Sequence, residues 1–360
     1  MSIKVTRTSM PSFEEYCEQI RPLWDSHILT NMGPQHDEFQ SALRKLLGCR
    51  VTLFSHGHLA LEAALRAFKL PTGSKIVTSP FTFVSTVHAI SRLGFEPVFC
   101  DVLPQDGTMD PKALECLIDE RTALILPVHV YGNVCDVEAI DDIARRHGLP
   151  VLYDAAHAFG VSYKGVPVVQ YGDASELSFH ATKVFSTVEG GAVCYSDESL
   201  EQVLADERNF GIRDEYVCAS AGGNGKMNEL QAAMGICNLR HLEEALGERE
   251  RLWKEYRKQL EGVVEFCRSR DGATQNHSYM PVFFESGKRR DAVADALDAA
   301  GVHARKYFFP LACDALCYKN LRADVPVARN LSDRVLSLPL YPGLQDEELE
   351  LVCSVIRRAH

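Results

Sequence analysis

The sequence has no apolar run long enough to cross a membrane and no excess of positive charge. No window approaches the roughly 18 apolar residues that a membrane span needs, and the opening residues, MSIKVTRTSMPSFEEY, have no apolar signal core. The formal net charge of -11 leaves no basic surface for nucleic acid, so an anionic ligand must be held by local dipoles and single cations. We therefore expect a cytoplasmic protein with no nucleic-acid and no membrane partner.

Cysteine is present but is not arranged in motifs. The twelve cysteines are scattered from Cys17 to Cys353, without a CxxC pair, and several lie in apolar runs. They are typical of small buried hydrophobic residues. The closest set of possible zinc ligands, His129 with Cys135 and Asp136, has no second cluster that would complete four ligands. We therefore predict neither disulfides nor a metal.

The sequence does contain an alternation of strand and helix patterns. A chain of 360 residues with 46% apolar and 24% charged residues is long enough for two domains. Strands that alternate with helices predict an α/β fold, with a mostly parallel sheet flanked by helices and ligands at the carboxyl ends of the strands. The predicted strands are 50–54, 75–79, 97–102, 122–130, 150–153, 176–179 and 192–195, and the predicted helices are 36–47, 59–68, 80–94, 111–118, 137–147 and 227–239.

The chain is predicted to divide into three parts. Residues 1–35 form an N-terminal arm with an amphipathic helical pattern over 11–24, residues 36–245 a large cofactor-binding domain, and residues 246–360 a smaller α+β domain. A charged helix over 242–260 joins the two domains. The predicted elements of the small domain are strands 263–267 and 279–284 and helices 289–300 and 346–358.

One lysine stands out because of its position. The stretch ELSFHATKVFSTVEGGAVCYS, residues 176–196, sets Lys183 on a loop between two apolar strands, just before a pair of glycines. A lysine held between buried strands loses hydration, which lowers its pKa and makes its amine a nucleophile. Loop lysines are also commonly just solvated, so this stretch alone leaves both interpretations open.

Two further features lie at the ends of predicted strands. Gly57 and His58 open a helix after a strand, where free N–H groups and the helix dipole can hold a phosphate, with a plain turn as the alternative. Asp154 follows an apolar strand, so its carboxylate needs a partner such as a protonated ring nitrogen, unless it is a helix N-cap. A lysine, a carboxylate, a phosphate site and the aromatic Phe83 together match the requirements of pyridoxal 5′-phosphate.

On its motifs the sequence resembles the DegT/DnrJ/EryC1/StrS sugar aminotransferases, which are fold-type-I (aspartate aminotransferase-like) enzymes that use pyridoxal 5′-phosphate. That fold has a large domain with a seven-stranded, mostly parallel sheet. The resemblance covers nearly the whole chain. It rests on these segments, in order: LTNMGPQHDEF, FSHGHLALEAAL, PFTFVST, PVHVYGNVCDVEAI, YDAAHAFG, SFHATKVFSTVEGG, GGNGKMNELQAAMG and SLPLYPGL.

The resemblance implies a role for each candidate site residue. Lys183 would bind the cofactor covalently and carry the transferred proton, and Asp154 would pair with the pyridine nitrogen. The other cofactor contacts implied are His157 near the ring hydroxyl, Phe83 stacked on the ring, Ser178, Gly57 and His58 on the phosphate, and Asn224 on the phosphate of the partner subunit. His58 departs from the family, which usually has a small hydroxyl residue there, so only its backbone N–H would serve.

The substrate side is less defined by the sequence. Candidate contacts are His180, Lys226, Tyr307 and Phe308, and the last two have core aromatics as their alternative. The glycine-rich segment ASAGGNGK, residues 219–226, is not a nucleoside triphosphate loop, because Ser220 and Met227 stand where that motif needs Gly and Ser or Thr. Residues 222–225 have too few side chains to fold against their own subunit and are expected to reach a neighbour.

The resemblance also implies a reaction. The motifs are most similar to those of transaminases that move an amino group from L-glutamate to C4 of dTDP-4-keto-6-deoxy-D-glucose, giving dTDP-4-amino-4,6-dideoxy-D-glucose for deoxysugar and polysaccharide (O-antigen) biosynthesis. Family members that aminate C3, or that use GDP- or UDP-linked ketosugars, share most motifs. A non-catalytic, cofactor-binding regulatory protein of the same fold is the other alternative. The family further implies a homodimer with shared active sites.

Overall fold

The computed structural model describes residues 2–359. None of the helices in that range is long and apolar enough to cross a membrane. The strands are β1 (Ile3–Lys4), β2 (Arg50–Phe54), β3 (Lys75–Thr78), β4 (Glu96–Phe99), β5 (Thr122–Leu126), β6 (Leu152–Asp154), β7 (Ser162–Tyr163), β8 (Val166–Pro167), β9 (Ala174–Ser178), β10 (Gly191–Tyr195), β11 (Glu265–Phe266), β12 (Met280–Phe283), β13 (Val302–His303) and β14 (Val335–Leu338).

Helices alternate with these strands along most of the chain. They are α1 (Phe13–Ile20), α2 (Leu23–Ser26), α3 (Pro34–Leu47), α4 (Gly57–Ala67), α5 (Val84–Arg92), α6 (Pro111–Leu117), α7 (Val137–His147), α8 (Ser199–Arg208), α9 (Glu229–Arg240), α10 (Leu242–Leu260), α11 (Gly287–Ala299), α12 (Pro326–Arg334) and α13 (Asp346–Ala359).

The predicted mostly parallel sheet is confirmed. Its strands follow the order β2-β10-β9-β6-β5-β3-β4, with β6 joined to β5 by the bridges Ile125 to Val151 and Val128 to Asp154. Only β10 runs antiparallel to its neighbours. The strands are buried along almost their whole length, as their near-continuous apolar sequences require. The carboxyl ends of β2, β6 and β9 therefore open on the same edge.

Local signals explain where the helices begin and end. Helix α7 starts after Asp136, whose carboxylate accepts the Ala139 N–H at 3.2 Å, and ends at Gly148 in the left-handed conformation. The helical pattern predicted over 11–24 is interrupted instead. It separates into α1 and α2 because Pro22 has no N–H with which to continue the first helix.

A second hydrophobic cluster lies under the C-terminal part of the chain. Its buried side chains come from the end of α10, from β12 and β14, and from α11 and α13, together with Ile3 of the N-terminal segment. The antiparallel sheet β11-β12-β14 supplies its strands. Neither β14 nor the helices α8 and α12 were expected from the sequence. The division at residues 35 and 245 stays a prediction.

Candidate active site

The predicted site residues meet in a cleft of about 590 Å³ at the carboxyl edge of the large sheet. Its walls come from the start of α4, the turn before α5, the segments that follow β6 and β9, and the residues around 279 and 307. Of the twelve candidates, ten line this cleft: Gly57, His58, Phe83, Asp154, His157, Ser178, His180, Lys183, Tyr307 and Phe308. A second groove, of about 760 Å³, lies between residues 7–12 and α10. No described lysine lines it, so it lacks the amine that the predicted cofactor needs.

Lys183 is half-buried on the loop that leaves β9. The loop is closed by backbone bonds from the Phe179 N–H to the Gly190 carbonyl, 2.8 Å, and from the Thr187 N–H to the Phe179 carbonyl, 2.9 Å. Within residues 2–359 no hydrogen bond or ion pair engages the Lys183 ammonium group. The amine therefore faces the cleft without a competing protein partner.

The two glycines after this loop are required by close packing. A Cβ on Gly191 would lie 2.6 Å from the Gly57 backbone, and one on Gly190 would lie 2.0 Å from Thr187 Oγ1. The start of β10 thus packs directly on the start of α4. This contact brings the lysine loop and the helix N-terminus to the same cleft.

Asp154 is 7% exposed at the end of β6. Its carboxylate accepts the Thr86 hydroxyl at 2.6 Å and the Ala156 N–H at 3.1 Å. No helix begins at Asp154, so the N-cap interpretation is wrong. No cation of residues 2–359 pairs with this carboxylate, which leaves its charge available for a cationic group in the cleft.

His157 is buried beside Asp154 and its orientation is fixed. Its Nδ1 accepts the Tyr131 N–H at 3.1 Å, so its proton resides on Nε2. The ring stacks on Phe308, with centroids 5.7 Å apart and an interplanar angle of 2°, and meets Tyr279 edge-on. Burial, together with the nearby Lys183 charge, holds the pKa of His157 well below its usual value. The side chain is therefore a neutral hydrogen-bond donor.

The start of α4 provides an anion site. The side chain of the N-cap residue His56 accepts the Leu59 N–H at 3.2 Å. The N–H groups of Gly57 and His58 belong to the first turn, where no carbonyl of the helix can accept them. Ser178 Oγ lies 2.9 Å from the point that a Gly57 Cβ would occupy. Gly57, His58 and Ser178 all line the cleft, so three hydrogen-bond donors are available at this end of α4.

The His58 side chain is engaged elsewhere. Its Nδ1 lies 2.8 Å from Ser85 Oγ and its Nε2 lies 3.2 Å from Glu62, which in turn accepts Arg92 Nε at 2.6 Å. Burial lowers the pKa of this histidine. With both ring nitrogens occupied, His58 offers its backbone N–H to the cleft, in line with the expectation from the sequence.

Aromatic side chains form the mouth of the cleft. Phe83 precedes α5 and is 58% exposed, a position in which its ring can cover a planar ligand. Phe308 is buried and also packs on Phe81 and Tyr131, so it serves both the cleft wall and the core. Tyr307 is half-buried, and burial raises its pKa.

Asn224 and Lys226 do not line the cleft of their own chain. The Lys226 ammonium instead contacts Asn209 Oδ1 at 3.0 Å and lies over the Phe210 ring. The expectation that residues 222–225 cannot fold against their own subunit is wrong. Gly225 accepts the Ser55 N–H at 2.7 Å, and a Cβ on Gly222 would lie 2.0 Å from the Asp206 carbonyl. The absence of side chains permits this close packing.

Among the cleft residues that sequence reasoning missed, Thr86, Tyr279 and Glu176 bear most directly on the site. Thr86 orients Asp154 from helix α5, which is distant in sequence, and Tyr279 belongs to another distant segment, so neither had a local signal. Glu176 had one. A charged residue within a strand that is buried on both faces is unusual.

Comparison with known proteins identifies the chain's relatives. The model of the DegT/DnrJ/EryC1/StrS aminotransferase family matches residues 12–357. The chain belongs to this family. It is 38% identical to a dTDP-4-amino-4,6-dideoxy-D-glucose transaminase of Shigella dysenteriae over 99% of this chain and 98% of the relative, and 35% identical to one of Escherichia coli over 96% and 95%. A GDP-perosamine synthase of Caulobacter vibrioides is 29% identical over 92% of each chain.

Solved structures agree with this family. DesI, crystallised in the presence of its TDP-sugar product, superimposes with a TM-score of 0.94 at 31% identity, over 99% of this chain and 92% of that one. Helicobacter pylori PseC, an aminotransferase involved in pseudoaminic acid biosynthesis, gives 0.94 at 25% identity over 100% and 99%. The protein is thus a pyridoxal 5′-phosphate-dependent aminotransferase with the fold of this family.

The cleft of this DegT-family enzyme fits the cofactor. In the part of the chain that the structure describes, the cleft has an amine without a protein partner, a buried carboxylate without a cation, and three donors at a helix N-terminus. They correspond to the aldehyde, the pyridine nitrogen and the phosphate of pyridoxal 5′-phosphate. Lys183, Asp154 and the Gly57–Ser178 pair would hold these three groups, respectively.

Proposed function

We propose that the enzyme transfers an amino group from L-glutamate to C4 of a nucleotide-linked 4-keto-6-deoxyhexose, with dTDP-4-keto-6-deoxy-D-glucose as substrate and dTDP-4-amino-4,6-dideoxy-D-glucose as product. The observation that carries the proposal is the near full-length similarity to two transaminases named for that product. The open aromatic mouth of the cleft, at Phe83 and Tyr307, is compatible with a sugar that carries a nucleotide.

Bound in this cleft, the cofactor supplies an electron sink for the carbon that loses its proton. The residues of the chain supply the rest. Lys183 would hold the cofactor and afterwards carry the proton between the two reacting carbons. Asp154, oriented by Thr86, would keep the pyridine nitrogen protonated, and His157, whose Nδ1 is occupied by the Tyr131 N–H, would offer its Nε2–H to the ring hydroxyl.

Other relatives favour specific alternatives. One, from Acidithiobacillus ferrooxidans, is a UDP-linked 3-aminotransferase at 33% identity, and GDP-perosamine synthases are also similar. A pleiotropic regulatory protein of Geobacillus stearothermophilus is 31% identical, which supports the alternative of a cofactor-binding regulatory protein. The next substrates to test are therefore 3-ketosugars and ketosugars linked to GDP or UDP.

A direct assay separates these functions. The enzyme would be incubated with glutamate and, in turn, with dTDP-, GDP- and UDP-linked 4-keto-6-deoxyhexoses and a 3-ketosugar, and each product examined by NMR. We expect an amino group at C4 of the dTDP sugar. Preferential amination of another substrate would replace the proposed one. If glutamate also leaves the visible absorbance of the lysine-linked cofactor unchanged, the regulatory alternative is favoured.

We also infer that the enzyme works in the cytoplasm as a homodimer with shared sites. The twelve cysteines are free thiols, as a reducing compartment would keep them. The segment around Asn224 carries exposed apolar side chains, namely Phe210, Ile212, Tyr216 and Val217. Such a patch is typical of a protein interface. Asn224 lies outside its own cleft, so contact with a neighbour's cofactor would explain its position.

A further inference from the structure

Glu176 is a buried acid in the cofactor cleft to which none of the roles above applies. It is 3% exposed on β9, and its register partner on β6 is Asp154. Paired residues of neighbouring strands point to the same face of a sheet, so the two carboxyl groups lie side by side. Ser178, two residues further along β9, points to that face as well.

The position of Glu176 relative to the anion site is fixed by Gly57. The point that a Gly57 Cβ would occupy lies 2.5 Å from Glu176 Oε1 and 2.9 Å from Ser178 Oγ. An anion held by Ser178 and the Gly57 N–H therefore has Glu176 as an immediate neighbour. An ionised Glu176 carboxylate beside a bound phosphate would repel it, whereas a protonated carboxyl group would donate a hydrogen bond to it.

The surroundings of Glu176 favour its neutral form. Asp154 accepts two hydrogen bonds, whereas within residues 2–359 the Glu176 carboxyl group accepts none, so no hydrogen bond there offsets the cost of burying a charge. The titratable groups that act on Glu176 are Asp154 on β6 and Lys183 on the loop after β9. Its register partner on β10 is the apolar Val193, with Cys194 on the other face of the sheet, and α4 meets it at Gly57, which has no side chain. Burial and the Asp154 charge raise the pKa of Glu176 well above its usual value, and only Lys183 opposes them.

We propose that Glu176 is a further cofactor-binding residue, which is present as the neutral acid and donates a hydrogen bond to the phosphate of pyridoxal 5′-phosphate. The sign of the pH dependence follows. Below the raised pKa the donor is in place and the phosphate is bound; above it the carboxylate repels the phosphate and affinity is lost. One linked proton corresponds to a loss of about tenfold in affinity for each pH unit.

The test uses pyridoxamine 5′-phosphate, which binds without a covalent bond to Lys183. Its Kd would be measured with the full-length, cofactor-free enzyme from mildly acidic to mildly alkaline pH, for wild type, Glu176→Gln and Glu189→Gln. Glutamine keeps a hydrogen-bond donor of the same shape but cannot become charged. We therefore expect Glu176→Gln to bind within about threefold of the wild-type affinity at neutral pH and not to lose affinity as the pH becomes alkaline. Glu189, an exposed acid 3.5 Å from His180 in the same cleft, is the matched charge control and should keep that decline.

Pyridoxamine, which has no phosphate, identifies the group that Glu176 contacts. We expect its binding to lack the Glu176-dependent decline. The proposal is overturned if Glu176→Gln binds pyridoxamine 5′-phosphate more tightly than wild type even at acidic pH, or if pyridoxamine shows the same difference between the two proteins. Should Glu176→Gln fail to fold, the wild type decides alone: equal pH profiles for the two ligands would also overturn it. The result does not depend on which ketosugar is the substrate.

Discussion

At the scale of single residues, the amine of Lys183 is the group on which the assigned chemistry depends. Lys183→Ala should abolish turnover and the visible absorbance of the lysine-linked cofactor, because no other lysine among residues 2–359 lines the cleft. Since its ammonium has no bonded partner in the described chain, the fold should survive, and the cofactor-free variant and wild type should have the same thermal unfolding midpoint.

The control is Lys164→Ala. Lys164 is exposed and pairs with Glu138 on the surface, so its loss should change neither absorbance nor rate. Retention of more than a small fraction of wild-type activity in Lys183→Ala, with Lys164→Ala normal, would disprove the assignment of the reactive lysine.

The charge of Asp154 can be separated from its position. Asp154→Asn keeps the shape but cannot balance a protonated pyridine nitrogen, so the rate of cofactor amination by glutamate should fall by several orders of magnitude while cofactor binding falls less. Thr86→Val removes the 2.6 Å hydrogen bond that orients the carboxylate, along with the contacts of the same hydroxyl to Thr82 Oγ1 at 2.9 Å and to the Phe83 carbonyl at 3.3 Å, and should cost about tenfold. Stopped-flow measurement of the half-reaction gives both values; equal losses in the two variants would contradict the role of the charge.

Single residues also show what the sequence could and could not predict. Asp154 and Lys183 were predictable because each follows an apolar strand at the ligand-binding edge of an α/β sheet. Thr86 was not, and although a charged residue in a buried strand marks Glu176 as unusual, the role of Glu176 was not predictable either. Their importance arises from contacts with Asp154 and Gly57, which are distant in sequence and are brought together only by the pairing of β6 with β9 and the packing of α4.

At the scale of elements, the start of α4 depends on a missing side chain. Gly57→Ala should weaken binding of pyridoxamine 5′-phosphate at least about tenfold, because the new Cβ would lie 2.5 Å from Glu176 Oε1 and 2.8 Å from Ser178 Cβ, inside the anion site. Gly247→Ala is the matched control. It makes the same change within α10, where no atom lies within 4 Å, and should leave binding unchanged and raise stability by up to about 1 kcal/mol. Equal affinities in the two variants would refute the close approach.

Elements were predictable where local signals are strong. The bounds of β2, α7 and α10 match the sequence prediction because apolar strands, caps and long periodic patterns are local features. The glycine-rich segment 222–225 was misinterpreted, since few side chains can mean either flexibility or very close packing. Here the Ser55 and Asp206 backbones supply that packing, and no local pattern announces them.

At the scale of the whole molecule, the proposed dimer predicts complementation. In a shared site, Lys183 of one subunit works with Asn224 of the other. Lys183→Ala and Asn224→Asp, each inactive alone, would be unfolded together and reassembled. In a mixed dimer one site collects both defects and the other has none. With random pairing about half of the dimers are mixed and each has one intact site, so activity should approach roughly a quarter of wild type.

A second mixture provides the control for complementation. Lys183 and Asp154 line the same cleft of one chain, so in a mixed dimer of Lys183→Ala with Asp154→Asn every site keeps one defect. That mixture should stay inactive. Recovery in the first mixture and not in the second is expected only if Asn224 crosses the interface. Tags of different mass would show whether mixed dimers form. If they form and the first mixture also stays inactive, Asn224 acts within its own subunit. The 222–225 segment would then be a structural element packed on Ser55 rather than part of a neighbour's site.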